Sequence, residues 1–159
     1  MRRALAFAVT LIAAAVAGVV AVAPPAAAES FQYVLQSHRY NPTQCLDASI
    51  SNGVRLMPCA LTSKFQRWTY DGAWHLVRYN GTMCLDGSTT NGVHLLTCDG
   101  DDTQQWYLTG SLLAGFNVRL VEGGGTMCLD GSTSNGIRLR PCDEASSFQR
   151  WDKLEFTVS

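Results

Sequence analysis

CLDASISNGVRLMPC at residues 45–59 returns as CLDGSTTNGVHLLTC at 84–98 and as CLDGSTSNGIRLRPC at 128–142. Six or seven residues beyond each second cysteine stands a glutamine-x-tryptophan triplet: Gln66-Arg67-Trp68, Gln104-Gln105-Trp106 and Gln149-Arg150-Trp151. Three of the four tryptophans therefore fall at matched positions, which chance placement of so scarce a residue would not give. A period of 38–45 residues marks one structural unit, copied and assembled against its copies. Function is then to be sought in what each copy presents at its surface.

The first 28 residues lie outside that unit. Arg2 and Arg3 make a short basic start, an apolar run extends from Ala4 to Val22, and Pro24-Pro25 lead into Ala26-Ala27-Ala28. These are the parts of a secretory signal peptide, so cleavage is expected after Ala28 and a secreted, extracellular protein is expected from it. The rival reading is a membrane anchor, since about 20 apolar residues can span a bilayer. The alanine-rich run, the proline break and the small-residue site favour cleavage, with no stable membrane insertion afterwards. Residues 29–159 then form one domain with 10 basic and 13 acidic residues, a net charge of −3. A phosphate backbone would need a basic patch, so nucleic acid is excluded as a partner.

All six cysteines lie in this domain, two per cassette and 14 apart. An even count in a small exported domain implies disulfides, and of the formal connectivities the repeat selects Cys45–Cys59, Cys84–Cys98 and Cys128–Cys142. Zinc is the competing explanation, but no C-x-x-C or clustered Cys/His spacing is present. No metal and no cofactor is expected.

Helical periodicity is absent; short alternating stretches are separated by Gly, Asn, Ser and Asp, the pattern of an all-β fold. Four strands per repeat are expected, in the second Trp74–Arg78, Met83–Asp86, Val93–Cys98 and Gln105–Leu108, over repeats of approximately 31–70, 71–109 and 110–157. Twelve short strands in three copies predict a closed barrel with hairpin caps, which leaves few open edges. Side chains at i and i+2 share a face. Leu46, Val54 and Leu56, with Leu85, Val93, Leu95, Leu129, Ile137 and Leu139, are therefore expected in the core beside the three repeated tryptophans. The opposite parity gathers Asp47, Arg55 and Met57 on an outer face, then Asp86, His94 and Leu96, then Asp130, Arg138 and Arg140. One small outward pocket per repeat is predicted.

Three linked copies of C-L-D…C…Q-x-W resemble the ricin B-type β-trefoil lectins over essentially all of the domain, and the short span from Asp to second cysteine is similar to the compact, actinohivin-like repeats of bacterial mannose-binding members. The resemblance implies a β-trefoil in which Gln66, Gln104 and Gln149 tie the backbone and Trp68, Trp106 and Trp151 fill the core. It also implies that sugar is held by the carboxylates of C-L-D: Asp47, Asp86 and Asp130. Charge-assisted hydrogen bonds to hydroxyls are the strong ones, and an apolar or aromatic surface suits the C–H face of a sugar ring. An equal reading of these aspartates is that each merely initiates a turn through its side chain.

Other positions depart from the family pattern. Galactose-binding members carry an aromatic residue two before the second cysteine, where this chain has Met57, Leu96 and Arg140. They carry asparagine just before the Q-x-W glutamine, where it has Phe65, Thr103 and Phe148, so a typical galactose site is not expected. The compact members carry tyrosine at that last position, and Phe65 and Phe148 keep the ring as stacking surface or rim cover. They also carry a tyrosine four before the second cysteine and an asparagine just after it; here stand Arg55 with Ala60, His94 with Asp99, and Arg138 with Asp143. The second copy keeps the most neutral hydrogen-bonding chemistry and is the best single candidate. Arg55 and Arg138 share the outer face with Asp47 and Asp130 and read first as ordinary surface charges; the alternatives are exposed ion pairs with those aspartates that a ligand could displace, or recognition of an anionic sugar.

An enzyme reading has no G-x-S-x-G elbow, H-E-x-x-H helix or nucleotide loop to stand on. The expected function is a secreted carbohydrate-binding module for a glycan or polysaccharide, weak per site and multivalent. The alternative is a trefoil without sugar sites that binds another secreted protein, as an adaptor or a protease inhibitor.

Overall fold

The computed structural model describes residues 32–70, 75–78 and 81–156. The expected leader, and Trp74 at the start of an expected strand, lie outside the described residues. Each repeat supplies four strands. The first has β1 (Gln32–Ser37), β2 (Gln44–Ser49), β3 (Gly53–Pro58) and β4 (Trp68–Tyr70). The second has β5 (Leu76–Arg78), β6 (Met83–Ser88), β7 (Gly92–Thr97) and β8 (Trp106–Ser111). The third has β9 (Gly115–Leu120), β10 (Met127–Ser132), β11 (Gly136–Pro141) and β12 (Trp151–Phe156).

The outer strands of each repeat form an antiparallel ring. β1 pairs β4, β4 pairs β5, β8 pairs β9, β9 pairs β12, and β12 returns to β1 along its whole length. The remaining junction is the bridge between His75, just before β5, and Gln105, just before β8. Inner strands pair as the hairpins β2–β3, β6–β7 and β10–β11, and β3, β7 and β11 meet one another as a cap. This is the β-trefoil expected from the repeat.

Each hairpin turns at its Asn-Gly: Gly53, Gly92 and Gly136 have φ of 71°, 81° and 71°, where a side chain would be strained. The hydroxyls of Ser49, Ser88 and Ser132 each accept the backbone N–H of the turn asparagine at 3.1 Å. Cys45–Cys59, Cys84–Cys98 and Cys128–Cys142 clamp the open ends, with Cα atoms 4.9–5.0 Å apart. Closing a loop of about 15 residues contributes about 3 kcal/mol by restricting the unfolded chain.

Trp68, Trp106 and Trp151 are buried at the centre with Leu46, Leu85 and Leu129. Each indole N–H donates to the carbonyl of the leucine in its own C-L-D, at 3.3, 2.8 and 3.0 Å. That bond satisfies a polar atom that burial would otherwise penalise, and it fixes β2, β6 and β10 to the strand that follows each cap. Val54, Leu56 and their counterparts are only partly buried, packed against the edge of this cluster.

Candidate functional site

The aspartate of each C-L-D faces away from the indole cluster, as alternation requires, yet it does not reach the open surface. Asp47, Asp86 and Asp130 are 5%, 4% and 4% exposed. The expected outward face is therefore covered. The Q-x-W glutamine lies across it, and the cross-strand residue folds over what remains.

The glutamine geometry is the same in all three copies. Its carbonyl accepts the N–H of the residue after the second cysteine: Ala60 at 2.8 Å, Asp99 at 3.1 Å and Asp143 at 2.8 Å. Its amide donates to the carbonyl before that cysteine: Pro58 at 3.0 Å, Thr97 and Pro141 at 3.1 Å. In the first and third copies it also reaches the aspartate, Gln66 to Asp47 at 3.4 Å and Gln149 to Asp130 at 3.5 Å. A buried amide bonded on both ends sets the position of the carboxylate and of the loop that borders it.

Strand register supplies the second partner. Asp47 is opposite Arg55, Asp86 opposite His94 and Asp130 opposite Arg138. Arg138 Nε donates to Asp130 Oδ1 at 3.1 Å. Arg55 Nε stands 3.4 Å from Asp47 Oδ1 without a hydrogen bond, and both atoms are buried without another partner. His94 Nε2 lies 3.5 Å from Asp86 Oδ1. For Arg55 and Arg138 this is neither a plain surface charge nor a fully exposed ion pair. The carboxylate is buried and only the cation or imidazole is partly open, at 39%, 34% and 39% for Arg55, His94 and Arg138.

The three sites differ at their mouths. Met57, Leu96 and Arg140 sit opposite the first cysteine of their cassettes, with Met57 half-buried and the other two exposed. Phe65 and Phe148 lie at the rim, 38% and 36% exposed. The Lys64 ammonium is 5.4 Å from the Phe65 ring, and Phe148 packs against Tyr40. In the second copy Thr103 replaces the ring, and its hydroxyl donates to Asp86 Oδ2 at 3.0 Å. Thr103 stands where galactose-binding members carry asparagine, and its short hydroxyl beside the glutamine is the sequence signal that this position still serves the carboxylate. Asp99 and Asp143 are exposed; each accepts a backbone N–H two residues on, from Asp101 at 3.1 Å and Ala145 at 2.9 Å, so they shape loops. A cleft of about 390 Å³ opens over the third copy, lined by Asp130, Arg138, Arg140, Asp143, Ser146 and Phe148. Among the described residues no group of three or more His, Cys, Asp or Glu converges as a metal site would require.

A family model for the ricin-type β-trefoil lectin domain matches residues 29–106 and 77–156. The chain belongs to that family. A search of curated sequences returned no match. Among solved structures, this ricin-type trefoil is similar to the β-trefoil lectin of the Vibrio vulnificus haemolysin/cytolysin, solved with N-acetyl-D-lactosamine bound. That pair has 23% identity and a TM-score of 0.66, covering 84% of this chain and 99% of that one. A non-toxic homologue of type II RIPs from Momordica charantia (bitter gourd), in complex with α-methyl-D-galactoside, gives 19% identity and a TM-score of 0.63 over 79% of this chain. GalNAc-T7, solved with UDP, GalNAc and Mn2+, gives 21% and 0.60 over 76%. The ricin-type trefoil spans 48% of the bitter gourd chain and 22% of the GalNAc-T7 chain. At these identities the likeness establishes the fold alone.

Proposed function

We propose that the protein is a secreted, non-enzymatic carbohydrate-binding module that engages surface glycans or polysaccharides through up to three weak sites. The observation that carries this reading is the buried carboxylate at the base of each cap hairpin, with an arginine or histidine nitrogen 3.1–3.5 Å away on a side chain that is itself partly open to solvent. An acceptor beside a donor is what a pair of vicinal sugar hydroxyls needs. An aspartate serving only its own turn would bond to turn amides; these instead face the cross-strand residue and the glutamine or threonine.

Each ligand would have to compete with the intramolecular partner of its carboxylate, which keeps single-site affinity low. Three sites on one rigid barrel let a branched glycan engage several at once, and effective concentration then supplies affinity without new contacts. Sequence ranks the second copy first, whereas the geometry favours the third, where an open cleft joins carboxylate, guanidinium and ring. The test is an array of immobilised glycans, read with the wild type and with Asp47→Asn, Asp86→Asn and Asp130→Asn.

A protein-binding reading draws on a separate feature. Leu112 and Leu113, at the tip of the β8–β9 hairpin, are 77% and 92% exposed. If Leu112→Ser/Leu113→Ser abolished capture of a secreted partner while glycan retention was absent throughout, the adaptor role would replace the sugar role.

A further inference from the structure

We propose that Tyr40, which belongs to the first repeat, is a positioning residue for the third site. It holds Phe148 as the apolar wall of that cleft, so the site takes sugar rings that present a C–H face. The inference rests on the carbohydrate reading and adds to it that the second and third sites differ in ligand chemistry, the third being completed across the junction between repeats.

The path begins at the chain closure. His38 N–H donates to the Arg150 carbonyl at 2.9 Å, which lays the segment between β1 and β2 beside the Q-x-W triplet of the third repeat. Two residues on, the Tyr40 ring stands 4.4 Å from the Phe148 ring, tilted by 53°. Its hydroxyl is 2.7 Å from Thr133 Oγ1, at the tip of the β10–β11 hairpin. Tyr40 thus touches both walls of the third site: the hairpin that carries Asp130 and Arg138, and the loop that carries Phe148. A ring on an exposed loop samples several rotamers unless packed, and tilted aromatic pairs restrict each other. Phe148 keeps its other side open, at 36% exposure, and lines the cleft whose base is Asp130.

The second site provides an internal comparison. The matching hydrogen bond runs from Val121 N–H to the Gln105 carbonyl at 2.8 Å and brings the segment after β9 beside the second repeat. Five residues before the cassette cysteine, where the first repeat has Tyr40, the third has Gly123. The residue before the Q-x-W glutamine is Thr103, not phenylalanine. Gly125 in this segment packs so closely on the Tyr107 hydroxyl that a Cβ would collide with it. Both members of the aromatic pair are therefore replaced: where the third site has Tyr40 and Phe148, the second has Gly123 and Thr103. The second site, with Thr103, His94 and the aliphatic Leu96 around Asp86, has no counterpart of this aromatic pair.

The test is retention of the full chain on immobilised mannan, N-acetyl-lactosamine polymer and polygalacturonate, in an Asp47→Asn/Asp86→Asn background that leaves only the third site. Tyr40→Ala is expected to lower retention about two- to ten-fold, the effect of one aromatic contact. Tyr40→Phe is expected to restore it, and Tyr40→Ala is expected to add nothing to Phe148→Ala, since the two act through one ring. Should Tyr40→Ala also lower the melting temperature, Tyr40→Leu keeps apolar bulk without the ring and is expected to lower retention without loss of fold. Retention that Tyr40→Ala leaves unchanged, or that falls additively with Phe148→Ala, overturns the positioning role while the lectin reading stands. Wild-type protein that passes through all three matrices overturns the carbohydrate reading, and this inference with it.

Discussion

Gly131→Ala probes how tightly the repeat is built. Gly131 follows the cassette aspartate on β10, and its backbone is not in the left-handed region, so alanine meets no conformational penalty there. The penalty is steric. A Cβ would stand 2.7 Å from Cη2 and 2.9 Å from Cζ2 of Trp151, and 3.1 Å from Cδ1 of Ile137. Trp151 is 1% exposed and its indole donates to the Leu129 carbonyl at 3.0 Å, so the ring cannot swing away without stretching that bond. Overpacking of this kind costs about 1–3 kcal/mol, a fall in Tm of about 3–12 °C for a domain of this size. The first repeat shows the adjustment needed: it has Ala48 at this position, and there the tryptophan bond is longest, 3.3 Å from Trp68 Nε1 to the Leu46 carbonyl. The assay is thermal unfolding followed by tryptophan fluorescence, for Gly131→Ala and Gly87→Ala. Melting of both variants at the wild-type temperature would show that the indoles are not packed against these backbones, and the repeat superposition would fail.

Gln104 is fully buried and bonds the Asp99 N–H and the Thr97 carbonyl, so Gln104→Ala strands two backbone groups and is expected to cost about 2–5 kcal/mol in denaturant unfolding, with faster exchange of the Asp99 amide. Wild-type stability in that variant would return the glutamine to a surface role. Burial pushes the hydroxyls of Tyr33 and Tyr70, stacked at 5.5 Å, well above the usual tyrosine range. Below about pH 10 both states keep these phenols neutral and stability is unaffected. Above it the unfolded chain loses protons that the native state retains, so stability falls as pH rises. Absorbance titration should then show these two ionising only with unfolding; ionisation of every tyrosine near pH 10 with circular dichroism intact would contradict their burial.

The fold was legible because the repeat carries it redundantly. Two cysteines, a C-L-D and a Q-x-W per copy specify hairpin, core and clamp, and the strands lie where alternation put them, with ends that differ by up to three residues at Met83–Ser88, Gly92–Thr97 and Trp106–Ser111. The site was only half legible. Parity placed Asp47, Asp86 and Asp130 opposite the tryptophans and paired them with Arg55, His94 and Arg138. It could not show that Gln66 and Gln149, some 19 residues away in sequence, fold over the same face and bury it. Nor could a pattern confined to one repeat find Tyr40, whose partners Thr133 and Phe148 are 93 or more residues away and meet it only because β12 returns to β1.

The central claim is that the buried cassette carboxylates hold sugar. Its most direct test is retention on a glycan array of the wild type against the Asp47→Asn/Asp86→Asn/Asp130→Asn variant, with melting temperature as the control for folding. Asparagine keeps the shape and loses the charged acceptor, so the account predicts that the wild type is retained on at least one multivalent glycan and that the folded triple variant loses most of that retention. A folded triple variant retained on the same glycan as strongly as the wild type would contradict it.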